Sequence, residues 1–326
     1  MPLIQTKANA SAQGYGLFAR TVCGLDGTRA IFAIGCATGA TTTRNKYTYA
    51  TCSSTACGVG AASSASLEGS AAGNSTRGIF ALGLIAGTQS TTRNKYTYAC
   101  CTSTASGVGV ASKQSRAGAG AGNATRGIFA LGYATGCGQT TTRNKYTYAC
   151  CSSTATGVGA ASPASYYGNA VGESTKGIFT LGRNCCFCGP ITNRNKYTYS
   201  TDVNCSAPSS SQVTQQGSAA GNSTRGIIAI GCSFGRTATR NKYTYSTCTA
   251  TAVGVASASE NSKSGSAAGN STRGIFALGI NNAGSASTTR NKYTYATDSN
   301  TACGVGAASS ASYSGSAVSW ATGVNT

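Results

Sequence analysis

The chain contains no histidine at all, and among its 326 residues it has only six acids, four prolines, one methionine and one tryptophan. Without histidine, the commonest general base is missing, and so are any Ser-His-Asp arrangement and the usual imidazole metal centres. The acids Asp26, Glu68, Glu173, Asp202, Glu260 and Asp298 are scattered, not paired at a constant spacing. Two-carboxylate chemistry therefore has little to draw on. Glycine is abundant, yet neither GxxxxGK followed by Ser or Thr, nor GxGxxG between a strand and a helix, is present. No apolar run approaches membrane-spanning length. The start MPLIQTKANASAQGYGLFAR has no continuous apolar core behind a basic end, so cytosolic synthesis without a signal peptide is expected. These absences argue against an enzyme and predict neither cofactor nor metal.

What is present is a repeat. RNKYTY begins at Arg44, Arg93, Arg143, Arg194, Arg240 and Arg290, with spacings of 49, 50, 51, 46 and 50. A second block keeps step with it: TRAIFAIG from Thr28, TRGIFALG from Thr76, Thr125 and Thr272, TKGIFTLG from Thr175, and TRGIIAIG from Thr224. Between them lies a softer block of small residues, such as GVGAASSASLEGSAAGN from Gly58. Six units of about fifty residues thus follow one another over 28–326.

Both sharp blocks read as strands. In KYTYA, Tyr47 and Tyr49 share one face of an extended chain and Lys46 and Thr48 the other, the period of a sheet. GIFALG is too short for a helix and suits a strand buried on both faces. The small-residue block is expected to hold one or two further strands, and no segment shows sustained helical periodicity. Three or four short strands per unit, six times over, predict an all-β fold, a single six-bladed β-propeller, with a parallel β-solenoid as the alternative. If the ring closes, the C-terminal block ACGVGAASSASYSGSAVSWATGVNT should pair with the strands of the first unit. Residues 1–27 are left as an N-terminal arm or a closing edge strand.

A formal net charge of +19 invites a nucleic-acid reading, but 18 of the 25 Lys and Arg residues belong to the repeated framework. Two roles suit them. The arginines can donate to carbonyls between blades or lie flat on tyrosine rings. Alternatively, Arg44, Lys46, Arg93, Lys95, Arg143, Lys145, Arg194, Lys196, Arg240, Lys242, Arg290 and Lys292 form a sixfold ring of anion contacts for an acidic polysaccharide or nucleic acid. No basic recognition helix is present to enter a groove.

Sixteen cysteines are unusual in a chain expected to be made in the cytosol. The third position after each RNKYTY is Cys52, Cys101, Cys151, Asp202, Cys248 and Asp298, a repeated structural slot suited to a small thiol or a turn-forming Asp. Disulfides between units are not assignable from sequence. Cys185, Cys186 and Cys188 sit close enough to hold a soft metal, but no partner pair stands at zinc spacing.

The loop joining the apolar and tyrosine blocks differs in every unit while its flanks hardly change. Equivalent loops of a closed ring emerge on one face, making that face the candidate contact surface, represented by Thr38, Gln89, Tyr133, Arg183, Phe187, Phe234 and Asn281. Simple drift of unconstrained loops gives the same pattern.

STRGIFALG, a loop, RNKYTYAT and a small-residue stretch returning to GNSTRG together resemble the kelch-like repeats of bacteriophage structural and tail proteins, over about 28–318. Those proteins often carry an SRGVFGGG block before a strand with aromatic or β-branched alternation; here ALG stands where kelch has GG, and the recurring tryptophan is missing. The resemblance implies a non-enzymatic, multicopy virion component, a tail or capsid decoration propeller that contacts neighbouring virion proteins or a host-surface glycan. A free module for anionic polysaccharide or nucleic acid is the alternative.

Overall fold

A computed structural model of the chain describes residues 29–136, 138–184 and 189–319, and these are all β, with no helix among them. Residues 1–27 and the cysteine cluster at 185, 186 and 188, with Phe187, lie outside the described residues. Six four-stranded antiparallel sheets account for the six units. In the second sheet the order is Ser70–Gly73, Arg77–Ala81, Arg93–Thr97, Thr102–Thr104. The third to sixth repeat that plan. The first is completed from the far end of the chain: Ser316–Ser319 pairs antiparallel with Arg29–Ala33, which is followed by Arg44–Thr48 and Ser53–Thr55. The C-terminal block therefore pairs with the first unit, as its sequence position anticipates.

The small-residue block supplies the first strand of each sheet: SAAG, AGAG, NAVG, SAAG, SAAG and SAVS. These strands lie against one another in succession, and Ser316–Ser319 lies against Ser70–Gly73, so the order of neighbours returns to its start. Their approach is close. A Cβ on Gly120 would stand 2.5 Å from the Ala71 carbonyl oxygen, and one on Gly269 would stand 2.8 Å from that of Gly221. Only glycine fits such contacts without moving backbone. Alanine, glycine and valine of all six inner strands enclose a cavity of about 100 Å³ that presents no ionisable side chain.

The core is distributed between sheets. Each tyrosine strand turns its two tyrosines toward the preceding sheet. Tyr146 and Tyr148, for example, pack with Phe129 against Ala72, Ile79 and Val108. Five further clusters repeat the contact, including one in which Tyr47, Tyr49 and Phe32 of the first sheet meet Ala268 and Ile275 of the sixth. GIFAL strands bury both faces, Ile79 toward the next sheet and Phe80 toward the previous one.

This arrangement makes the fold sensitive to alkali. Burial raises the hydroxyl pKa of eleven of the twelve repeat tyrosines above its ordinary value. A tyrosine that stays protonated in the fold stabilises it fully below the unfolded pKa of about 10, and that contribution is lost as pH rises further. The six RNKYTY arginines act oppositely, because burial lowers their guanidinium groups to about 10, so that above this pH the unfolded chain holds their protons longer. Eleven groups outnumber six. We expect cooperative unfolding above about pH 10 with the repeat tyrosines ionising together, followed by tyrosinate absorbance and circular dichroism in parallel. Gradual ionisation with the sheet signal intact would contradict it.

Candidate functional site

The RNKYTY arginines are turned inward. All six are 1 % exposed, and each reaches into the following unit. Arg44 donates through Nη1 to Ser103 Oγ (2.5 Å) and to the carbonyls of Gly60 and Ala61, and through Nη2 to Asn94 Oδ1 (3.2 Å). Its guanidinium lies 4.5 Å over the Phe80 ring. Arg93, Arg143, Arg240 and Arg290 repeat the stack on Phe129, Phe179, Phe276 and Phe32. For Arg194 the repeat register supplies Ile228 in place of the ring, and the arginine keeps its bonds to Asn241, Pro208 and Ser209. Sealed between sheets, these arginines cannot meet a polymer in solution, so their half of the anion ring does not form. The lysines of the same strands remain half-buried, with Lys145 and Lys242 paired to Asp202 and Asp298.

The variable loops lie at the opposite strand ends from the turns that hold those aspartates. They are pinned by the chain arriving from each sheet's outer edge. Leu84–Ile85 pairs with Ser66–Leu67, Tyr133–Ala134 with Ser115–Arg116, and Ile280–Asn281 with Ser262–Lys263. Single bridges make the same link at Tyr166 to Arg183, Gln215 to Cys232 and Cys36 to Tyr313. Just beyond each pairing stands a residue in the left-handed region: Glu68, Ala117, Tyr167, Gln216, Ser264 and Ser314, with φ between 53 and 57°. Their backbones form a belt. Glu68 N–H donates to Ser314 O, Ala117 to Glu68, Tyr167 to Ala117, Gln216 to Tyr167, Ser264 to Gln216 and Ser314 to Ser264, at 2.6–2.9 Å.

Beside this belt the second to fourth units gather an aromatic and cationic cluster. Tyr133 and Tyr166 meet edge to face at 5.8 Å, and Tyr166 and Tyr167 lie tilted at 4.7 Å. Arg116 lies 5.1 Å over the Tyr133 ring and Arg183 6.0 Å over that of Tyr166. Glu68 orders the inner end, accepting from Arg116 Nη1 at 3.1 Å and from the Tyr167 hydroxyl at 2.9 Å. Burial, and then the Glu68 carboxylate, push the Tyr167 hydroxyl above its usual pKa and keep it a donor. Partly exposed aromatic faces flanked by guanidinium donors suit a planar or ring-shaped ligand bearing hydroxyl or acidic groups.

Of the loop residues expected from sequence, Tyr133 and Arg183 join this cluster. Gln89 stands beside it, its Oε1 accepting from Thr135 Oγ1 at 3.3 Å. Asn281 shapes its own loop by accepting from Ser285 N. Thr38 and Phe234 stand exposed on the first and fifth loops, Phe234 at 97 %; Phe187 is outside the described residues. Arg116, Tyr166, Tyr167 and Glu68 were not anticipated, because they sit in the small-residue block. Their signal was a departure in register: SLEG, SRAG and SYYG stand where the sixth unit has SYSG.

Among the described residues no three His, Cys, Asp or Glu side chains gather to hold a metal, and no helix is long and apolar enough to cross a membrane. No protein-family model matches the chain, and no curated protein sequence matches it.

Proposed function

We propose that the six sheets are the blades of one closed six-bladed propeller, and that the chain is a non-enzymatic attachment component whose loop face binds an acidic or hydroxyl-rich glycan or a neighbouring protein. The return of the inner strands to their starting neighbour and the antiparallel meander within every sheet favour this reading over a parallel solenoid. The cluster of Arg116, Tyr133, Tyr166 and Arg183 carries the functional part, since it lies on the face where the units differ and is held by a hydrogen-bonded belt. The resemblance of the repeat to phage structural proteins makes a phage-like particle its setting.

The test is binding of acidic oligosaccharides to the full chain and to Tyr133→Ala/Tyr166→Ala. Loss of two aromatic platforms is expected to weaken binding about tenfold or more, with the thermal midpoint little changed. Unaltered binding by the double variant would overturn the site. A second reading, capture of anionic polymers, rests on the half-buried lysines Lys46, Lys95, Lys196 and Lys292. It predicts affinity that falls steeply with salt and ignores the tyrosine substitutions.

A further inference from the structure

The opposite strand ends carry a different device. After each tyrosine strand one residue adopts a left-handed conformation: Cys52, Cys101, Cys151, Asp202, Cys248 and Asp298, with φ between 49 and 55°. In two units it is a carboxylate that gathers three donors. Asp202 accepts from the Tyr197 hydroxyl at 2.8 Å, Arg126 Nη1 at 3.2 Å and Lys145 Nζ. Asp298 accepts from the Tyr293 hydroxyl at 2.8 Å, Arg225 Nη1 at 3.4 Å and Lys242 Nζ at 2.5 Å. Arginine and lysine come from the preceding unit. Burial pushes each carboxyl upward, but these donors outweigh it and hold both below the ordinary carboxylate range.

In the first and third units the same donors face sulfur. Arg273 Nη1 stands 3.5 Å from Cys52 Sγ and Arg77 Nη1 stands 3.4 Å from Cys151 Sγ. By register, Lys292 and Lys95 take the places of Lys242 and Lys145. The hydroxyls of Tyr47 and Tyr146, both in fully buried side chains, have only the Cys52 and Cys151 sulfurs to meet, whereas those of Tyr197 and Tyr293 donate to the carboxylate. Sulfur is a weak acceptor, and a buried donor so poorly satisfied is costly. The niche is built for a charged group with two oxygens and holds a thiol that has none.

We propose that Cys52 and Cys151 are oxidative modification sites, whose sulfinate product occupies the niche as the carboxylates of Asp202 and Asp298 occupy theirs. A sulfinate places two oxygens and one negative charge on the atom bonded to Cβ, as aspartate does. Hydrogen peroxide is the oxidant. Its O–O bond breaks as an S–O bond forms, the thiol proton leaves with the other oxygen as water, and sulfenic acid remains. A second peroxide adds the second oxygen, releases another water and yields sulfinic acid, which gives its proton to solvent. Sulfur is oxidised and peroxide oxygen reduced in both steps. Both residues are partly exposed, which leaves peroxide a route to them. Cys52 is the cleaner case, because Cys151 has Cys150 beside it to divert the sulfenic acid into a disulfide. The site is remote from the loop face and does not rest on the binding role proposed there.

The full chain, treated with graded hydrogen peroxide, denatured under alkylation and mapped by peptide mass, tests this. Gain of two oxygens at Cys52 is expected about tenfold faster than at Cys57 and Cys303, which are more exposed but lack the donors, with a thermal midpoint that does not fall. Lys292→Met should reduce that preference. Cys52→Asp, which needs no oxidant, should fold with a midpoint at or above that of the parent. Oxidation of Cys57 and Cys303 first, a midpoint lowered by sulfinate at Cys52, or a destabilised Cys52→Asp variant would overturn the proposal.

Discussion

Serine at both Tyr146 and Tyr148 is expected to unfold the whole chain and not one sheet alone. Both side chains are buried, and their contacts are with Ala72, Ile79 and Val108 of the preceding unit as much as with their own. Truncating a large buried aromatic costs about 3–5 kcal/mol, and two such losses approach the 5–15 kcal/mol that holds a typical domain together. The apolar interface is lost from both sheets at once. Thermal melting followed by circular dichroism checks this. Tyr148→Phe serves as the control, because the Tyr148 hydroxyl is buried without a hydrogen-bond partner and its removal should cost little. A double-serine variant that melts where the parent does would show that the tyrosine seams do not carry the fold.

Arg290→Met is expected to destabilise by about 2–5 kcal/mol, and by the same amount as Arg143→Met. Arg290 belongs to the last unit, yet its partners Ser54, Asn45 and the Phe32 ring belong to the first. Removing it also strands the carbonyls of Gly306 and Ala307. Arg143 makes the equivalent bonds between consecutive units, to Asn195, Asn204, Gly159 and Ala160. Relief of burying a charge offsets part of each loss, and equally in both. Equal costs are what a closed ring requires. A near-neutral Arg290→Met beside a costly Arg143→Met would mean that the first and last sheets are not joined in solution.

Much of this architecture is legible in the sequence because it depends on local alternation. RNKYT is a strand at all six positions, and the faces assigned to Tyr47 and Tyr49 against Lys46 and Thr48 are the observed ones. Arg44 defeats that logic. It shares the parity of Lys46 yet is sealed, since Phe80 and Asn94 of the next unit cover that end of the strand and leave the lysine end open. Alternation reports which residues share a face, and only the neighbouring unit decides how far along the face burial extends. The belt is hidden for another reason. Its left-handed positions carry Glu68, Ala117, Tyr167, Gln216, Ser264 and Ser314, which have no side-chain chemistry in common, so only a backbone conformation unites them. The tyrosine and arginine cluster is drawn from loops and small-residue blocks of three units, and its members become neighbours only through the order of the sheets.

The inner strands Ser70–Gly73, Ser218–Gly221 and Ser266–Gly269 share the sequence SAAG, and the strands they pair with are nearly identical too. Pairing alone therefore hardly distinguishes a correct partner from the equivalent strand of another unit, or of another molecule. Connectivity must supply the discrimination, and it is weakest at Arg29–Ala33, whose partner Ser316–Ser319 arrives from the other end of the chain. While that strand is still being synthesised, the first sheet offers a vacancy that a foreign SAAG strand fits almost as well. Exchange of strands between crowded nascent chains is the hazard that follows, and dilute refolding should give a larger fraction of monomer than concentrated refolding.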